Sequence, residues 1–160
     1  MHPYEALSFI ADICDTEHPD VIVGNSNGAF LAQIIAQRKK IPALLGNPHF
    51  EMTRFLNERI GQHQYKSPRM NGIQDFIIDM NLIDEFDELQ KHQFDDINDD
   101  MRDKIWGLFG ENDTLAHYEP LFLEYYHRTF HFPGNHTPTA DEVVEYYAPL
   151  IEQLINDTII

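Results

Sequence analysis

Val21-Ile22-Val23-Gly24-Asn25-Ser26-Asn27-Gly28 decides the fold. A short β-branched run enters the pattern G-x-S-x-G, and Phe30, Leu31, Ile34 and Ile35 leave it at helical spacing. A strand, a tight glycine-flanked turn and a helix in that order form the setting of a nucleophile elbow, in which the serine occupies a sharp turn above a sheet. In this reading both glycines are needed, because a side chain at either flank would crowd the strand-to-helix crossing. The helix start behind Ser26 adds positive potential, and the Asn27 backbone N–H is placed to face a developing oxyanion. The competing reading is a glycine-rich βα turn that binds phosphate, but no Lys follows as in a P-loop.

Outward from this stretch, the periodicity alternates between apolar runs and amphipathic segments. Ala6, Leu7, Ile10, Ile13 and Cys14 predict a helix over about 3–16, with Pro3 in its first turn. Ile41-Pro42-Ala43-Leu44-Leu45 reads as a second buried strand, closed by Gly46-Asn47-Pro48. Lys104–Phe109 reads as a third and Arg128–Phe132 as a fourth, followed by helices over about 116–126 and 140–155. Strands separated by helices predict an α/β class with a mostly parallel sheet of about four strands, in three layers. The 160 residues suit one domain. Residues 50–103 carry no strand signal and are expected to form a helical, cap-like excursion, with Phe76, Ile77, Met80, Ile83, Phe86 and Leu89 at helical spacing.

The charge is −16, and ten of the acids fall between Asp79 and Asp103 against Lys91 and Arg102. Such a field repels nucleic acid and anionic membranes, so neither is an expected partner. The acidic run is read as a solvated helical surface. Asp95-Asp96-Ile97-Asn98-Asp99-Asp100 lacks the glycine turn and terminal Glu of a calcium loop, and no HExxH pattern suggests zinc, so no metal site is expected. One cysteine, Cys14, excludes an intramolecular disulfide. No stretch approaches the ~18 apolar residues of a membrane span. Met1-His2-Pro3-Tyr4-Glu5 has neither the basic nor the apolar region of a signal peptide, which leaves the cytoplasm as the expected location.

A nucleophilic serine needs a base, and the base an orienting acid. Gly110-Glu111-Asn112-Asp113-Thr114 follows the third strand, and Pro133-Gly134-Asn135-His136-Thr137 the fourth. Both loops share the sheet edge of Ser26, because all three follow strand ends. Ser26 as nucleophile, His136 as base and Asp113 as acid is therefore the expected constellation. Asp113 alone would also suit a helix N-cap. His117 is the second candidate base and Glu111 the second candidate acid. Asn25, Asn47 and His49 are expected along the pocket.

Gly24-Asn25-Ser26-Asn27-Gly28, Gly46-Asn47-Pro48, Gly110-Glu111-Asn112-Asp113 and Gly134-Asn135-His136 together resemble the small YqiA-type esterases of the α/β-hydrolase superfamily. The order and spacing agree from about Pro3 onward. The resemblance implies a serine hydrolase of small carboxylic esters or thioesters, without metal or organic cofactor, in which Ser26, Asp113 and His136 act. It also implies an earlier strand and a His-Gly loop that supplies a second oxyanion N–H. This sequence opens within the following helix, so the chain is expected to be an N-terminally truncated version of that fold. From this follow two further expectations. A catalytically impaired hydrolase-fold protein that binds a small ligand or a protein partner is the alternative function. The Val21–Val23 strand should present an unpaired edge, favouring self-association, most simply as a homodimer.

Overall fold

The computed structural model describes residues 2–159. Helix α1 (Pro3–Glu17) starts with proline in its first turn and ends at His18, whose left-handed backbone turns its N–H to the Cys14 carbonyl. Strand β1 (Ile22–Asn25) leads through Ser26 into α2 (Asn27–Lys39). Residues 29–37 of α2 are all buried, and Arg38 and Lys39 meet its negative dipole end. Strand β2 (Ala43–Gly46) is buried throughout. Helix α3 (Met52–Asn57), strands β3 (Gly61–Gln64) and β4 (Asp75–Ile78), α4 (Met80–His92) and α5 (Asp99–Arg102) make up the excursion. Strand β5 (Ile105–Gly110), α6 (Glu119–Tyr125) and β6 (Arg128–Phe132) follow. The chain closes with α7 (Ala140–Glu142), a π-helical turn (Val143–Tyr147) and α8 (Ala148–Ile159).

The main sheet is parallel, in the order β1-β2-β5-β6. Its strands alternate between two cores, as the pleat requires. Ala43, Leu45, Ile105 and Phe109 join α1, α2, α3, α4 and α6 on one face, while Leu44, Trp106, Leu108 and Phe132 join Tyr147 and Leu154 on the other. Helices thus cover both faces, giving three layers. Burying each large apolar side chain contributes about 1.5–3 kcal/mol.

The excursion corrects one expectation. Phe76 and Ile77 lie in a strand, not in the helix that follows. β3 and β4 form an antiparallel hairpin in which Phe76 and Ile78 turn inward while Asp75 and Ile77 face out. Phe76 stacks on His63 and Tyr65 across the hairpin. The helix begins only after Asp79, whose carboxylate accepts the Leu82 N–H at 2.9 Å. The helix expected from about 116 starts at Glu119 instead, because the Asp113 carboxylate takes the N–H groups of Leu115 and Ala116. No helix among the described residues is long and apolar enough to cross a membrane.

Candidate active site

Strand register puts Asn25 beside Gly46, Gly46 beside Leu108 and Gly110 beside Phe132, so the loops that follow open on one edge. Ser26 sits at φ 56°, ψ −119°, a conformation costly for a residue with a Cβ. It is over-determined by its surroundings: the Ser26 N–H donates to the Gly46 carbonyl at 3.0 Å, and its own carbonyl accepts from Ala29, Phe30 and His49. Gly24 is required here, since a Cβ would run into the Gly28 carbonyl. Gly28 departs from the sequence expectation: a Cβ there meets open space, so it is not needed for the crossing.

The Ser26 hydroxyl donates to His136 Nε2 at 2.7 Å, and His136 Nδ1–H donates to Asp113 Oδ2 at 2.9 Å. An ionised carboxylate can only accept, which fixes the proton on Nδ1 and leaves Nε2 as the acceptor facing the serine. The Asp113 side chain is 2% exposed and that of His136 15%. Asp113 Oδ1 also accepts the Leu115 N–H at 2.7 Å and the Ala116 N–H at 3.2 Å, so the carboxylate orients the imidazole and ties its own loop at once. Asn27 opens α2, where backbone N–H groups lack intrahelical acceptors.

The other candidates are placed apart. His117 is exposed and lines a cavity of about 440 Å³ together with Glu51, Arg54 and Glu58; Glu111 is exposed, and its backbone N–H donates to the Phe132 carbonyl at 2.9 Å. His131 is held by Glu119 at 2.8 Å. In the acidic run, Asp95 meets His92, Asp96 meets Arg38 and Asp99 meets Arg102, and no metal-holding cluster of His, Cys, Asp or Glu occurs among the described residues. Cys14 is buried, which pushes its thiol up from the usual value.

Ser26, Asn27, His49 and His136 line a cavity of about 1260 Å³. The excursion forms much of its wall: Met52, Phe55 and Leu56 come from α3, Phe76 and Ile78 from the hairpin, Leu82 and Phe86 from α4. His49 lines it. Its ring lies against Phe55 and Tyr118 with Nδ1 buried and unpartnered; burial first, and the neighbouring His136 second, hold its pKa below the ordinary value. Asn25 and Asn47 are not among the lining residues. Their amides reach behind the cavity to the backbone of the His136 loop, a role spacing alone could not reveal. Tyr147, which the sequence reading passed over, bonds Asn25 from the π-helical turn.

A family model described as "Uncharacterised protein family (UPF0227)" matches residues 3–131, a span that ends before the loop carrying His136. No curated protein matches in sequence. Among solved structures, a monoacylglycerol lipase of Paleococcus ferrophilus is 13% identical with TM-score 0.64, over 98% of this chain and 76% of the lipase. Est1E from Butyrivibrio proteoclasticus is 15% identical with TM-score 0.66, over 98% of this chain and 72% of its own. MGS-MChE2, an α/β hydrolase from a lagoon-sediment metagenome of Mar Chica, Morocco, is 10% identical with TM-score 0.53, over 99% of this chain and 72% of its own. At such identities the likeness concerns the fold, which is that of the α/β hydrolases.

Proposed function

Because the chain belongs to the UPF0227 family, and so to the group its YqiA-like motifs resemble, we propose that it is a serine hydrolase of carboxylic esters or thioesters. The observation that carries this reading is the continuous relay from Ser26 through His136 to Asp113, at 2.7 and 2.9 Å, opening on a large, partly apolar cavity. The lipase and esterase relatives in fold support it. Ser26 attacks the acyl carbon while His136 Nε2 takes its proton and Asp113 stabilises the imidazolium. The Asn27 N–H receives the developing oxyanion. Collapse of the tetrahedral intermediate expels the alcohol or thiol, protonated by His136, and leaves an acyl group on Ser26. Water, deprotonated by the same imidazole, then releases the acid and restores the serine.

Cavity volume bears on the substrate. At about 1260 Å³ the space exceeds the roughly 300–1,000 Å³ usual for small-molecule sites, which leaves room for both an acyl and a leaving group. The test is labelling by a fluorophosphonate probe together with hydrolysis of a nitrophenyl ester. Both are expected in the wild type and neither in Ser26→Ala. Labelling that survives Ser26→Ala sinks the assignment.

A further inference from the structure

One backbone carbonyl, that of His136, gathers donors from two strand ends. Asn25 Nδ2, at the end of β1, donates to it at 3.1 Å, and Asn47 Nδ2, just past β2, donates at 2.9 Å. The Asn47 amide also reaches the Asn135 carbonyl at 3.0 Å. A carbonyl oxygen has two lone pairs, so two donors satisfy it fully.

An asparagine amide serves as a donor only if its orientation is fixed, since its two ends are similar in size. Both amides here are fixed by a donor on the opposite end. The Gly110 N–H donates to Asn47 Oδ1 at 2.7 Å. The Tyr147 hydroxyl donates to Asn25 Oδ1 at 2.9 Å. Each amide oxygen is therefore occupied, and each NH₂ turns toward the His136 loop. Tyr147 is 3% exposed, and burial raises its hydroxyl well above the usual phenol range, so it stays a donor at any working pH. It reaches this position from the π-helical turn Val143–Tyr147, a wide turn of the kind that re-aims side chains at functional sites. Gly46 leaves the room: a Cβ there would collide with the Tyr147 hydroxyl and lie 2.7 Å from Asn25 Oδ1.

We infer that Asn25, Asn47 and Tyr147 are positioning residues, which clamp the His136 carbonyl so that its imidazole spans Ser26 and Asp113. The inference rests on the reading of Ser26, His136 and Asp113 as a proton relay. The loop needs such a clamp because His136 lies beyond the last residue of β6 and has no strand neighbour to fix it. Asp113 fixes the ring from one end, and the two amides fix the backbone from the other. With Tyr147 removed, the Asn25 amide is free to turn over, and its oxygen would then face the His136 carbonyl and repel it.

The experiment compares wild type, Tyr147→Phe and Asn25→Asp in the full chain with nitrophenyl acetate as substrate, alongside the NMR signals of the His136 ring. Asn25→Asp keeps an acceptor for the Tyr147 hydroxyl but puts a carboxylate oxygen where the donor was. Both variants are expected to fold with wild-type circular dichroism, to lose kcat on the order of 10- to 100-fold at unchanged KM, and to shift the His136 ring signals. A role confined to stability would lower the melting temperature and leave kcat per folded molecule and the ring signals as in wild type. That result overturns the clamp, as do wild-type kcat and ring signals in both variants. If the wild type itself neither turns over ester nor takes the fluorophosphonate label, the hydrolase reading fails. The ring signals still decide the clamp, because unshifted signals in Tyr147→Phe and Asn25→Asp overturn it whether or not ester is hydrolysed.

Discussion

Asp113 meets His136 with one carboxylate oxygen, at 2.9 Å, and uses the other to accept two backbone N–H groups of its own loop. The two duties separate on mutation. Asp113→Asn retains an acceptor for Leu115 and Ala116 but can stabilise the wrong imidazole tautomer. Its melting temperature is expected to stay near wild type while kcat falls by up to about 10⁴-fold. Asp113→Ala should lose kcat and also about 1–3 kcal/mol of stability, from the orphaned N–H groups. Thermal denaturation and ester kinetics on the same preparations test this; equal stability of the two variants would contradict it.

The two glycines of the elbow are unequal. Gly24→Ala drives a methyl into the Gly28 backbone and should abolish soluble expression or cost more than about 3 kcal/mol. Gly28→Ala meets open space on the first turn of α2 and should hold or raise stability, by at most about 1 kcal/mol. Urea denaturation of the pair gives the answer, and a reversed order would refute the packing argument.

His49 predicts the acid side of the stability profile. Its folded pKa lies below the ordinary 6.5, mainly through burial and secondly through His136. Below about pH 6.5 the unfolded chain therefore binds a proton that the folded chain refuses. The stability due to neutral His49 is complete above that value and is lost as pH falls from it toward the folded-state pKa. His49→Phe removes the titrating group from its apolar contacts with Phe55 and Tyr118. The fall in melting temperature between about pH 7.5 and about pH 5.5 should be shallower in this variant than in wild type. Parallel slopes would dismiss His49 as the source.

Beneath the site, the Tyr126 hydroxyl donates to Gln33 and accepts from Gln37, and Gln93 bonds both glutamines and the Phe50 carbonyl. All four side chains are buried. Tyr126→Phe leaves the Gln33 carbonyl without its donor, which should cost about 1–3 kcal/mol. At about 2–4 °C per kcal/mol for a chain of this size, the loss is visible in a thermal melt. An unchanged melting temperature would show that the network is not a source of stability.

β1 is an edge strand of the sheet, with Val23 44% exposed, and the neighbouring α1 exposes Phe9 and Ile13. An unpaired edge with apolar side chains favours self-association. Light scattering at low micromolar concentration should report a dimer or larger species. A monodisperse monomer would end the idea.

Much of this protein was legible in its residues. The strand, turn and helix around Ser26 are local, because β-branched residues, flanking glycines and a 3.6-residue apolar period act over a few neighbours. The chain order of Ser26, Asp113 and His136 at successive strand ends could be read the same way, since parallel strands bring their following loops to one edge. The β3–β4 hairpin was not legible: Phe76, Ile77 and Met80 fit helical spacing, and only the pairing of Gly61–Gln64 with Asp75–Ile78 selects the strand. The partners of Asn25 and Asn47 were equally hidden. Asn25 meets His136 across 111 positions of sequence and Tyr147 across 122. The residue types announced polar groups near Ser26. Whether those groups face the cavity or grip the loop behind it depends on angstrom-scale distances that no local periodicity encodes, and tertiary packing alone settles them.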